Sequence, residues 1–362
     1  MDEKITIIIG AGGSLSDAAN KPIAMRPPLD DGFFASLKKS GYEKNPDFKE
    51  VITYLDEIYS IDPLVETDDS LERMMAILYS DMQSSPHKSQ AANAFRSFIR
   101  IINKRISETT NQINPGSKGN FYRLIIKLLS RGIKAENITV ITFNYDLQLE
   151  KSLDLIQNTA KWKKYGNIFN FPYCYRLPNY KITQAPKSEP VFNKVGDEEA
   201  PCIKVLKLHG SLNWFSRHTS PDPSPRSLLN TKRDLYITPR KKPLSNLRFR
   251  GKRRLYTFPI VVPPVINKAA ILHADLVGIW KIAQESLQAS TKIIVFGYSC
   301  PQSDYESANL ISRSIRKNTS LISFSVIDPS TSAFERFVSL TNLSRMYYAR
   351  NMSAFSEAID GF

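Results

Sequence analysis

Four polar positions stand where an apolar run stops. His209 follows Ile203-Lys204-Val205-Leu206-Lys207-Leu208 and precedes Gly210. Asn144 and Asp146 follow Ile138-Thr139-Val140-Ile141-Thr142-Phe143, and Asp328 follows Phe324-Ser325-Val326-Ile327. An imidazole titrates near neutral pH and can take a proton from water or from a sugar hydroxyl. A carboxamide donates and accepts without charge, which suits Asn144 to hold a ribose hydroxyl or a water. Asp146 can accept from an amide or hydroxyl. Each also has a plain structural use: His209 as a satisfied histidine at a strand end, Asn144 and Asp146 as caps of the helix that begins near Leu147.

The elements that must position these groups are legible as runs. Ile5 to Ile9 is β-branched or isoleucine throughout, the signature of a strand buried on both faces. It runs into Gly10-Ala11-Gly12-Gly13-Ser14, where glycines permit a tight turn and let the backbone amides from Ala11 to Ser14 approach a phosphate. Ser14, Ser16 or Asp17 can cap a short helix through Asn20, which Lys21-Pro22 then stops; a standard dinucleotide fingerprint opens a longer helix. Residues 27–120 carry apolar spacings of three and four, as in Phe48 to Leu55 and Phe95 to Ile102, and read as an inserted helical subdomain. Phe121 to Ser130 and Ile271 to Ser290 read as further helices, the latter holding Trp280 and a structural His273. Ile293 to Phe296 is another buried strand, followed by Gly297, Ser299 and Asp304. The pattern predicts an α/β chain with a Rossmann-like parallel sheet, helices on both faces, and a ligand crevice outside the strands' carboxyl ends. Residues from about Trp162 to Pro201 read as irregular cover for that crevice, and 216–256 as a basic insertion or loop.

The chain has 362 residues and a formal charge of +14, enough for a large core and one or two domains over 1–362 and suited to an acidic partner. The basic excess is densest from Arg240 to Arg254, where interleaved aromatics allow nucleic acid, an acidic protein or plain solvent as its partner. The three cysteines form no Cys-x-x-Cys pair, which argues against a zinc ribbon and for a reducing compartment. No metal site, secretion signal or membrane-spanning run is expected, so the chain reads as cytoplasmic.

Taken in order, Gly10-Ala11-Gly12-Gly13-Ser14, Thr142-Phe143-Asn144-Tyr145-Asp146, Leu208-His209-Gly210-Ser211, Phe296-Gly297-Tyr298-Ser299 and Ile327-Asp328-Pro329 resemble the sirtuin superfamily. They look most like the bacterial sirtuin-like NAD hydrolases of antiphage defence. The resemblance implies that Gly297, Ser299, Asp304 and Asp328 hold ribose and adenine, that Asn144 and Asp146 flank the nicotinamide ribose, and that His209 is the base. It implies cleavage of NAD+ to nicotinamide and ADP-ribose, with NAD as substrate and no further cofactor. It also implies NAD+ depletion in abortive infection, a homo-oligomer and a partner such as a motor ATPase. The four-cysteine zinc module and the Pro-Asp-Phe-Arg stretch of lysine deacylases are absent, which argues against deacylation. Two other readings stay open: an NAD or ADP-ribose sensor without turnover, and a nucleic-acid-binding or nuclease-like subunit of a defence complex.

Overall fold

The computed structural model describes residues 2–65, 70–113, 116, 119–177, 179–182, 191–194, 201–218, 220, 222–228, 234–238, 256–262 and 274–358. In chain order these form β1 (Ile5–Ile9), α1 (Ala11–Asp17), α2 (Phe33–Lys39), α3 (Pro46–Tyr59), α4 (Leu71–Ser84), α5 (Lys88–Thr110) and α6 (Asn120–Ser130). Then come β2 (Ile138–Thr142), α7 (Gln148–Asn158), β3 (Asn179–Ile182), β4 (Val191–Lys194), β5 (Lys204–Lys207) and β6 (Gly210–His218). The remainder is α8 (Pro225–Leu228), β7 (Tyr236–Ile237), β8 (Tyr256–Val261), α9 (Ala274–Ala289), β9 (Lys292–Phe296), α10 (Tyr305–Lys317), β10 (Ser323–Ile327), α11 (Thr331–Thr341), β11 (Tyr347–Ala349) and α12 (Met352–Ala358).

The main sheet has the order β11-β10-β9-β1-β2-β5, and every pairing is parallel. This is a doubly wound, Rossmann-like sheet whose strand order reverses between β1 and β9. Its strands are buried on both faces, which is why they read as continuous apolar runs. Helix α6 packs with α1, α7 and α12, and α10 with α9 and α11, so helices cover both faces. The register aligns the strand ends. Ala349, Ile327, Phe296, Ile9, Thr142 and Lys207 pair across the sheet in one row. All six strands therefore release their next residues at one level.

Between β1 and α6 the chain builds α2 to α5, which pack around an apolar cluster of their own that includes Phe33, Phe34, Leu37, Met74, Phe98 and Ile102. Phe34 stacks on Phe98 at 5.7 Å while Phe33 meets both rings edge-on. The helix starts follow capping chemistry: Asn45 accepts from Asp47 N ahead of Pro46, and Ser70 accepts from Arg73 N.

A second sheet, β4-β3-β7-β6-β8, lies beyond β5. It corrects two sequence expectations. β6 runs through His218 and pairs antiparallel with β8, so the start and end of the 216–256 stretch are strand rather than loop. The described residues between Trp162 and Pro201 do not line the crevice: Phe169, Cys174, Tyr175 and Leu177 pack into the sheet's core, with Tyr175 edge-on to Trp214 at 5.0 Å. Residues 239–255, which include Arg240 to Arg254, and His273 lie outside the described residues. Among the described residues no helix is long and apolar enough to cross a membrane.

Candidate functional site

A cavity of about 790 Å³ opens at the row of strand ends. Each of the six strands contributes to its wall: Gly10 after β1, Asn144 after β2, His209 after β5, Gly297 after β9, Asp328 after β10 and Arg350 after β11. Ala11, Gly12, Ser14, Asp146 and Ser299 line it as well. Of the residues singled out in the sequence, Gly13 and Asp304 lie outside the wall. The opposite side is the helical layer, through Phe33, Leu71, Glu72 and Ile106.

The glycines of the first turn are required by packing between loops. A Cβ on Gly10 would lie 2.6 Å from Gly297 O, and one on Gly297 would lie 2.1 Å from Gly13 N, at a φ of +59°. Gly12 N–H donates to Gly297 O at 2.9 Å, and Gly13 N–H to Gly10 O at 3.0 Å. Two of the amides expected to face a phosphate are thus committed within the fold. The helix also starts earlier than the sequence suggested. α1 begins at Ala11, directly on the glycines, and Asp17 ends it while accepting from Asn120 N at 2.5 Å. Small residues are tolerated in this helix because its first turn presses on Gly297 and on the Phe121 ring, which leaves no room for side chains.

Asn144 is 9% exposed. Its amide group donates to Gly10 O at 2.9 Å and to Ser14 Oγ at 3.1 Å. Ser14 Oγ in turn donates to Asp146 Oδ2 at 2.8 Å, and Asp146 Oδ1 accepts from Gln148 N at 2.9 Å. Asp146 thus closes a turn onto Gln148 N from one residue before Leu147, the cap position of α7, and the two Asn144 N–H groups hold Gly10 and Ser14. This fixes the direction of the Asn144 carboxamide oxygen. His209 is 3% exposed. Phe143 meets its ring edge-on at 5.0 Å, Tyr145 lies tilted at 6.3 Å, and Asp304 Oδ2 stands 3.4 Å from Nε2. The backbone around it is pinned too: Trp280 Nε1 donates to Leu208 O at 3.2 Å, and Val262 N donates to His209 O at 2.8 Å.

Sequence reasoning missed the buried cation beneath this loop. Lys207 and Glu150 are each 1% exposed and pair at 3.1 Å. Lys207 Nζ also donates to Asp146 O at 2.6 Å, and Tyr175 O–H donates to Glu150 Oε1 at 2.9 Å. A charged residue inside an apolar strand run was the available signal. Its partner, Glu150 in α7, was not readable from spacing.

Carboxyls dominate the helical side of the cavity, with Asp30, Asp31 and Glu72; Arg26 and Arg350 supply the positive charge. Burial pushes the Asp30 carboxyl up to about 6 and raises Asp328 as well. Burial also lifts the Tyr145 and Tyr298 hydroxyls well above their usual value, so both stay neutral donors. Among the described residues no group of three or more His, Cys, Asp or Glu is placed to hold a metal ion. The arrangement can hold a small molecule or nucleotide and present a fixed carboxamide and an imidazole to it.

No protein-family model matches the chain, and neither does any curated protein. Among solved structures it is similar to a complex described as "Sir2-p53 peptide-NAD+", at 13% identity over 99% of this chain and 92% of that one, with a TM-score of 0.42. It is similar to a Sir2 structure described as bearing on the mechanism and regulation of Sir2 enzymes (11%, 99% and 91%, 0.40). A Sir2 homologue mutant in complex with ADP-ribose gives 12%, 99% and 89%, and 0.39. Likeness this remote carries no argument about activity; the doubly wound fold stands on its own strand order and register.

Proposed function

We propose that the chain is an NAD+ glycohydrolase, cleaving NAD+ and water to nicotinamide, ADP-ribose and a proton. One observation carries the reading: Asn144 and His209 leave neighbouring strands and line the same cavity at the switch of the doubly wound sheet. The ordered motif resemblance to sirtuin-like NAD hydrolases supports it. NAD+ lies across the strand ends, with adenosine toward Gly297, Ser299 and Asp328 and the nicotinamide ribose toward Asn144. As the C1′–N bond breaks, its electron pair leaves with the nicotinamide nitrogen and an oxocarbenium-like centre forms at C1′. Asn144, held by Gly10 and Ser14, orients the ribose or the attacking water. His209 takes the water's proton and passes it to solvent. Phe143 and Tyr298 keep this end of the cavity apolar, which favours departure of a neutral base. In the cell such an activity would deplete NAD+ in antiphage defence, as an oligomer and with a partner protein that supplies the trigger.

The test is nicotinamide release from NAD+ by the purified full chain, alone and with neighbouring gene products. His209→Ala and Asn144→Ala should each reduce release at least 100-fold with circular dichroism unchanged, on the order of what loss of a general base removes. Full activity in either variant would take that residue out of the mechanism. Tight NAD+ binding without release in every condition would instead identify a sensor.

A further inference from the structure

We infer that Asp304 is the positioning residue of His209: it holds the ring's proton on Nε2 and leaves Nδ1 as the basic nitrogen. The inference rests on the reading of His209 as the base, and it assigns to Asp304 a task other than contact with the nucleotide.

Asp304 lies behind the cavity wall, with its side chain 0% exposed. Its Oδ2 stands 3.4 Å from His209 Nε2 and accepts the Tyr298 hydroxyl at 3.0 Å. Its Oδ1 faces Ser307 N at 3.4 Å, where Asp304 caps α10. Both oxygens thus act as acceptors, the role a carboxylate needs in order to take a ring N–H. A carboxylate beside one ring nitrogen stabilises a proton there, which puts the lone pair on the other. Catalytic contacts are commonly long before substrate binds and shorten in the complex.

Aromatic contacts join the two residues as well. Tyr298 clamps Asp304 through its hydroxyl and stacks on Phe143 at 4.2 Å with 22° between planes. Phe143 then meets the His209 ring edge-on at 5.0 Å. The imidazole is thus held by a carboxylate at one atom and by an aromatic edge across its face. The carboxylate and that edge are tied to each other through one tyrosine. When His209 gains the water's proton, the same carboxylate offsets the charge of the imidazolium.

The experiment is ¹⁵N NMR of the full chain with labelled histidine, His209 being identified by its missing signals in His209→Gln. Wild type should show neutral His209 protonated on Nε2. Asp304→Asn, which keeps size and the capping oxygen of α10, should shift the ring toward the Nδ1-protonated tautomer. In the same variant kcat for nicotinamide release should fall roughly 10²- to 10⁴-fold, with KM changed less than threefold, and Asp304→Glu should recover part of the loss. A purely structural Asp304 would move stability and leave the tautomer alone. An unchanged tautomer in Asp304→Asn, or a wild-type ring protonated on Nδ1, overturns the inference. The tautomer is read without turnover, so a wild-type chain inert toward NAD+ both alone and with its neighbouring gene products would sink the proposed reaction and leave this measurement to decide the role of Asp304.

Discussion

Lys207→Met tests how the Asn144–Asp146 turn is held. Lys207 and Glu150 form an ion pair sealed from solvent, with the lysine also donating to Asp146 O. Removing the ammonium leaves a carboxylate at 1% exposure that keeps Tyr175 O–H as a donor, and Glu150 Oε2 already has no partner. An uncompensated buried charge of this kind costs about 3–5 kcal/mol. Against a typical stability of about 5–15 kcal/mol, that is a large fraction. The double variant Lys207→Met/Glu150→Gln removes both charges while Tyr175 keeps an acceptor. It should lie within about 2 kcal/mol of wild type, giving a coupling of about 2 kcal/mol or more. Urea unfolding followed by tryptophan fluorescence is the assay, since Trp162, Trp214 and Trp280 all pack in or against the sheet's core. A loss under about 1 kcal/mol in the single variant, or plain additivity in the cycle, would refute the argument.

Gly297→Ala should cost about 2–5 kcal/mol, because its Cβ would meet Gly13 N and its φ is left-handed. Gly132→Ala, with a φ of +85° but nothing within 4 Å, should cost only the backbone part of about 1–2 kcal/mol; equal melting shifts in the two would remove the steric claim. Asp17 and Asp30 are both raised by burial from 3.8 to about 6. A raised carboxyl makes the folded state bind protons more tightly than the unfolded chain. Stability from these groups is therefore present below about pH 4 and lost as pH rises through 6, by at most about 3 kcal/mol each. Asp17→Asn should keep more of its pH 4 stability at pH 7 than wild type does, and an identical pH slope in the two would contradict this.

The sheet was legible because each buried parallel strand is a short apolar run closed by a glycine or a polar residue. The register then makes those closing residues neighbours, so Gly10, Asn144, His209, Gly297 and Asp328 converge as their position after each run implied. What hid was whatever depends on contacts across the chain. β6 has seven of its nine residues buried and carries a register shift against β8 between Ser211 and Phe215, so it shows no alternation of apolar and polar residues. α1 opens on glycines that ordinarily weaken helices, and the approach of Gly297 and of the Phe121 ring explains them. Asp304 reads as a ligand contact in one dimension because it follows a strand end. Its place behind His209 is set by the packing of two separate crossovers.

The cavity has one bank in each of two apolar cores: Phe33 and Leu71 belong to the helical cluster, Phe143 and Met352 to that of the sheet. Any molecule that fills it must touch both, so its binding free energy also opposes their separation. Saturation should therefore slow amide exchange throughout α4 and α5, far beyond the residues in contact. By reciprocity, a substitution that loosens that cluster should weaken affinity without touching the bound molecule.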